Sequence, residues 1–259
     1  MAKKIDRIGE KNINNFGNEM IIIEYRGCHN IDVYFPKHDY TTKGVQYGDF
    51  KKGKIKSPYD KSIFRIGYLG EGKYKTKENG KITKCYQIWH DMLRRCYDEK
   101  YQEKYPTYKG CIVCDEWHNF QNFAKWYYDN YYEIKGERIC LDKDILVKKN
   151  KMYSPEACMF VPEKINILFV KCDKSRGESV IGTSPLENGK YQVHCRMINM
   201  GTGESKKEHL GYYNSQEKAF QVYKYYKEKN IKVVADYYRN QIPQKLYNAL
   251  YNYIIEIDD

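Results

Sequence analysis

The clearest periodicity in the chain lies in GKYQVHCRMI, residues 189–198, where apolar and polar positions alternate without a break. On a strand, Tyr191, Val193, Cys195 and Met197 share one face, and Lys190, Gln192, His194 and Arg196 share the other. The turn NMGTGES follows, and KKEHLGYY then predicts a partner strand. The period next changes to that of a helix in SQEKAFQVYKYYKEKNIKVVADYYRN, with Ser215 as N-cap, Lys218 at the position of a capping-box acid, and Ala219, Tyr223 and Tyr226 facing inward. IPQKLYNALYNYIIEI predicts a last helix, started by Pro243.

Earlier in the chain the pattern is more broken. MIIIEYR and IDVYF are β-branched and aromatic runs joined by GCHN, which predicts a hairpin, and VQYGDF predicts a further strand. GYLGEGKYKTKENGK carries glycines too densely for a helix and predicts a connecting loop. YQIWHDMLRRCYDE places Ile88, Met92 and Cys96, with Trp89, on one helical face. NFQNFAKWYYDNYYEI predicts a second helix with Phe120, Phe123, Ala124 and Tyr127 inward. CIVCDEW and ICLDKDIL read as strands, KKNKMYSPEAC as a loop, and VPEKINILF as a short helix with proline near its first turn. The sum is an α+β chain. It comprises a small β-rich module at 1–60, a connector at 61–84, an α+β segment at 85–177, and a three-stranded sheet with a long and a terminal helix at 178–259.

Charge changes this picture more than composition does. The net charge is +11, and residues 1–84 hold 18 Lys/Arg against 10 Asp/Glu, all of that excess lying after residue 42. Lys and Arg interleaved with Tyr and Gly suit a polyanion such as DNA, although a solvated lysine-rich surface has the same composition. The 28 tyrosines allow a core despite the polar average. No run is apolar enough for a membrane span and the N-terminal stretch lacks the apolar core of a secretion signal, which predicts a cytoplasmic protein without membrane partners. Nine cysteines, an odd number, predict reduced thiols. Cys111 and Cys114 alone have the Cys-x-x-Cys spacing of a zinc site, which Cys140 and Cys158 would have to complete; buried thiols are the simpler account.

Two stretches resemble known families. Gly182, GKYQVHCR, HLGYY and SQEKAFQVY resemble the Apetala-type (integrase-type) DNA-binding domain, in which an exposed three-stranded sheet enters the major groove and a helix covers its other face. The resemblance implies double-stranded DNA as partner and Lys190, Gln192, His194, Arg196, Lys207 and His209 as the DNA-facing residues. Strand alternation independently selects the first four of these. His194 and His209 stand where the family often has an acid and a tryptophan, so no base preference carries over.

Trp89, Met92, Arg95 and Cys96, then Tyr108, Gly110, Glu116, Trp117, LDKD, YSPEAC and Asn166 resemble the phage-type HNH endonucleases over about 80 residues. That resemblance implies a ββα-metal fold and hydrolysis of DNA phosphodiesters with Mg²⁺ or Mn²⁺. The metal ligands would be Asp142 and Asn166, joined by Asp144 if the strand continues to it, and the catalytic set Asp142, Lys143 and Asn166. Lys143 occupies the place of a histidine general base. It serves as a base only if its pKa is lowered by several units, and otherwise it stabilises transition-state charge. His90 and His118 are the neighbouring imidazoles in sequence, and Ala157 replaces the asparagine of the motif.

The expectation is therefore a phage or prophage HNH-type endonuclease acting in a bacterial cytoplasm. Two alternatives stand beside it: a non-cutting DNA-binding regulator or anti-defence factor built from the same parts, and an inhibitor that binds a host or phage protein which itself binds nucleic acid.

Overall fold

The computed structural model describes residues 6–170 and 179–258. Cys172 and the boundary expected near residue 177 lie outside them. The chain divides into two compact units between Asp129 and Asn130, with Lys151–Ser154 returning to the first. The division falls inside the stretch that resembles the HNH proteins. Both units mix helices and small sheets, so the chain is α+β.

In the first unit, β1 (Lys11–Ile13), β2 (Glu19–Tyr25), β3 (Ile31–Phe35) and β4 (Tyr40–Val45) form an antiparallel sheet in chain order. The hairpin expected from MIIIEYR and IDVYF is β2–β3, with Ile22 opposite Val33 and Tyr25 opposite Ile31. Met20, Ile22, Ile31, Val33 and Phe35 pack with Phe50 and Ile55 into one apolar cluster. VQYGDF is not a strand: β4 ends at Val45, and Tyr47–Lys51 turns into the short helix α1, which drives Phe50 into that cluster. The connector holds a minimal hairpin, β5 (Lys77–Glu78) and β6 (Lys81–Ile82), turned by Asn79 and Gly80 at positive φ.

Helix α2 (Lys84–Tyr97) is capped by Thr83, whose hydroxyl accepts the Tyr86 N–H. Its buried stripe is Cys85, Trp89, Met92, Leu93 and Cys96, and Trp89 Nε1 donates to the Trp117 carbonyl at 2.7 Å. Helix α3 (Glu99–Lys104) follows directly, with Asp98 as N-cap. β7 (Ile112–Val113) pairs in parallel with β9 (Met152–Tyr153), a contact between distant segments that no local pattern announces. Helix α4 (Phe120–Asn130) buries the expected Phe120, Phe123, Ala124 and Tyr127.

In the second unit, β8 (Ile139–Asp142) and β10 (Met159–Pro162) form an antiparallel pair that leads into α5 (Glu163–Leu168). β11 (Thr183–Pro185), β12 (Tyr191–Ile198) and β13 (Ser205–Tyr213) form a three-stranded antiparallel sheet backed by α6 (Gln216–Tyr238), and α7 (Gln244–Tyr251) packs on α6. Ser215 caps α6 by accepting the Lys218 N–H at 3.3 Å. One apolar core serves all of this unit: Met159, Val161, Ile165 and Leu168 join Val193, Cys195, Ile198, Ala219, Tyr223, Ile231 and Tyr238. Tyr226 does not share it, being 36% exposed; the inward positions after Tyr223 are Lys227, Asn230 and Ile231. Asn230 bonds the end of β12 beyond the reach of β11, which pairs only with Tyr191–Val193. Its amide accepts the Ile198 N–H and donates to the Arg196 carbonyl, both at 3.3 Å. Gly182 has φ +75°, and a Cβ there would lie 2.0 Å from the Tyr223 ring.

Candidate nucleic-acid interface

The core face of β12 is fixed by the burial of Val193 and Cys195, which leaves the intervening side chains on the opposite face of the sheet. There the register sets Gln192 opposite Tyr212, His194 opposite His209, and Arg196 opposite Lys207. Arg196, Lys207, His209 and Tyr212 are exposed, and Gln192 and His194 are half-buried among them. The two imidazoles lie 5.1 Å apart between ring centres, His209 is 4.7 Å from the Tyr212 ring, and Gln192 Nε2 approaches His209 Nδ1 at 3.4 Å. Five of the six residues expected to face DNA thus stand on one open surface. The sixth, Lys190, is exposed but precedes the strand, in a turn where its N–H bonds the Asn188 side chain.

Tyr212 was not among the expected residues. Strict alternation from His209 passes over it, but β13 carries an extra residue where the register shifts between Val193 and His194, and this brings Tyr212 onto the face of His209. Gly211, with φ +114° inside a strand, was the available signal. Ser184 of β11, opposite Gln192, joins the same face. Burial, then the positive charge of Lys207 and the second imidazole, hold His194 below the ordinary imidazole range.

The residues expected to do chemistry lie elsewhere in the same unit. Asp142 ends β8 opposite Met159, and Met159 and Val161 pack with Ile165 and Leu168 of α5, so Asp142 lies on the α5 side of the hairpin. The helix starts from Pro162, which is opposite Ile139 at the other end, and carries Asn166 half-buried. The strand does not continue to Asp144. Asp142 Oδ1 accepts the N–H groups of Asp144 (2.9 Å) and Ile145 (2.8 Å), which turns the chain out of the sheet. Burial raises the Asp142 carboxyl above its ordinary range, partly offset by those two bonds. Lys143 is buried, and its ammonium contacts both Asp144 carboxylate oxygens (2.8 and 2.7 Å) and the Asn150 carbonyl (2.6 Å). The Asn150 amide donates back to the Lys143 carbonyl at 2.9 Å, closing the loop between them.

A hard divalent ion needs several oxygen donors with no cation in the way. Here Asp144 is engaged by the Lys143 ammonium and one Asp142 oxygen by backbone, which leaves a single carboxylate oxygen and the Asn166 amide. Those two donors would hold Mg²⁺ or Mn²⁺ only with water and a DNA phosphate completing the set, as such ions are commonly bound. Among the described residues no three His, Cys, Asp or Glu side chains gather as a metal site. Cys111 is buried and Cys114 half-buried beside β7, while Cys140 and Cys158 belong to the second unit. His90 and His118 are in the first unit, packed against Phe64 and Tyr97 respectively, and burial lowers both. No described helix is long and apolar enough to cross a membrane.

Comparison with models of known protein families, with curated proteins and with solved structures returned no match.

Proposed function

We propose that this protein binds double-stranded DNA through the open face of the β11–β12–β13 sheet, and that it acts there as a regulator or anti-defence factor. The observation that carries the reading is the cross-strand register of Gln192, His194 and Arg196 with Tyr212, His209 and Lys207, which sets donors, imidazoles and two cations on one surface. A strand ribbon of this kind fits a major groove, with Arg196 suited to a guanine edge and Lys207 to a phosphate.

The test is duplex affinity measured against salt. Lys207→Gln lowers the steepness of log K against log[salt] by about 0.9 if it removes one phosphate contact. Arg196→Ala reduces discrimination between a selected site and random duplex more than loss of a single lysine from 43–84 does. A folded protein with no duplex affinity would overturn the reading and favour a protein partner.

A second reading, phosphodiester cleavage, has one observation in its favour: the β8–β10–α5 order with Asp142 on the helix side. Supercoiled plasmid incubated with Mg²⁺ or Mn²⁺ tests it. Nicking by the wild type that Asp142→Ala abolishes would establish cleavage, and intact plasmid at all conditions would remove it.

A further inference from the structure

A cleft of about 640 Å³ opens in the first unit, and none of the residues on the open face of the β11–β12–β13 sheet lines it. That volume is ordinary for a small-ligand site. Its lining is unusual for a surface hollow, because three cations, Lys37, Lys61 and Arg65, and three rings, Phe16, Tyr59 and Phe64, face the same space. Among the described residues, none of the three cations takes part in an ion pair. The buried acid between Tyr59 and Lys61 in the chain, Asp60, is occupied by the amides of Asn14 (2.8 Å) and Asn18 (2.5 Å) and by the Ser57 N–H (2.8 Å). Glu71 is held by the Tyr59 hydroxyl at 2.8 Å. A fourth cation, Lys56, places its ammonium 5.1 Å from the centre of the Phe16 ring.

The backbone is strained at the same place. Phe64 and Arg65 are consecutive and both have positive φ, +49° and +61°. They form the tip of a tight reversal in which the Ile66 and Gly67 N–H groups both bond the Ile63 carbonyl, at 3.1 and 2.8 Å. Such a reversal ordinarily carries Asn-Gly, since side chains with a Cβ oppose that conformation. Gly67 locks its base, for a Cβ there would lie 2.5 Å from Leu93 Cδ1. A ring and a guanidinium are thus held in a costly conformation at the mouth of a cationic, aromatic hollow, the kind of local strain that accompanies binding sites.

We propose that this cleft binds a nucleotide unit, its phosphate among Lys37, Lys61 and Arg65 and its base against Phe64, Tyr59 or Phe16. Stacking on aromatic rings beside a cationic track is how proteins hold unpaired nucleic acid without reading its sequence, whereas paired bases expose no face to stack on. The source is a nucleotide in an unpaired strand or a free nucleotide, and both present the same chemistry.

The test uses the full chain with a fluorescent twelve-nucleotide oligothymidylate, competed by thymidine monophosphate or by inorganic phosphate. Phe64→Asn keeps the turn, because asparagine tolerates positive φ, and removes the ring. It should weaken oligonucleotide binding about tenfold, as loss of one stacked base does. Lys61→Gln/Arg65→Gln should weaken it at least as much, while Arg196→Gln on the sheet should leave it unchanged. Competition by the monophosphate at concentrations where inorganic phosphate fails assigns the site to a nucleotide, and failure of both competitors with retained oligonucleotide binding assigns it to a strand. Equal competition by inorganic phosphate and the monophosphate, unaltered binding in both cleft variants, or an equal loss in Arg196→Gln each overturns the proposal. Because the sheet variant is scored separately, loss of the duplex reading and loss of this one give different results.

Discussion

Two substitutions at Asp142 distinguish a carboxylate that shapes the chain from one that serves chemistry. Its Oδ1 accepts the Asp144 and Ile145 N–H groups at 2.9 and 2.8 Å. An amide oxygen accepts the same bonds, so Asp142→Asn keeps the turn. It also removes a charge that burial disfavours, and it forfeits some attraction to Lys143. These opposing effects predict a change in unfolding free energy of less than about 1 kcal/mol near neutral pH. Asp142→Ala instead leaves two N–H groups without their acceptor. At about 1 kcal/mol for each bond the loss is about 2 kcal/mol, within the range of a lost helix cap. For a chain of this size that lowers the melting midpoint by roughly 4–8 °C. The direction with pH follows from a carboxyl raised in the folded state. Its contribution is fully present below the unfolded value, and is lost as pH rises through the folded one. The margin of Asp142→Asn over the wild type should therefore widen from acid to neutral pH. Melting curves followed by circular dichroism across that interval test both claims. Should the Asn and Ala variants melt at the same lowered temperature, the charge itself matters, and the carboxylate serves a cation rather than the turn.

Gly182→Ala combines a left-handed backbone with a Cβ 2.0 Å from the Tyr223 ring, and should cost about 2–4 kcal/mol in chemical denaturation; an unchanged midpoint would contradict the packing described. His194 lies below the ordinary imidazole range through burial, Lys207 and His209, and a nearby phosphate would favour its protonated form. Duplex affinity should then rise as pH falls from about 7.5 to about 5.5, and the rise should diminish in His194→Gln; a flat profile in the wild type would exclude contact between this ring and phosphate. A fragment of residues 179–259 lacks Met159, Val161, Ile165 and Leu168, four members of the core it shares. It should show no cooperative unfolding transition, and a sharp one would refute that dependence.

The parts of the fold that were legible in sequence are those where one face is buried over many residues. β12 and α6 declared themselves by period, and so did the aromatic stripe of α4. What escaped has specific causes. α1 is five residues long with only Phe50 buried, too short for a period to develop, and the β7–β9 pair joins two dipeptides far apart in the chain. The inward face of α6 was misjudged at Tyr226 because its next positions are polar: Lys227 buries its stem, and Asn230 is inward to bond the open edge of β12. Reading Asp144 onto the strand failed because Asp142 bonds the backbone ahead of it, a local choice that Asp side chains make readily and hydrophobic pattern does not record. The residues of the open sheet face were legible for the same reason as β12 itself, and Tyr212 was hidden by one extra residue in β13.

The distribution of charge and of apolar packing bears on how such a protein would divide its work. The β8–β10–α5 unit and the three-stranded sheet draw on one core, in which Val161 and Ile165 are as buried as Val193 and Ala235. A duplex lying on the sheet would therefore stand at a separation from Asp142 and Lys143 that is set by the packed side chains of that core. In that fixed frame the Lys143 ammonium sits against the carboxylate of Asp144 and the Asn150 carbonyl, spending both charges on closing a loop. The excess of positive charge lies instead in residues 43–84, all of them in the first unit. Under the proposed duplex binding, attraction that ignores sequence and contacts that read it would reside in different units of one chain. Lysines of 43–84 would set the salt dependence of binding, and the register of β12 with β13 would set its preference among sites.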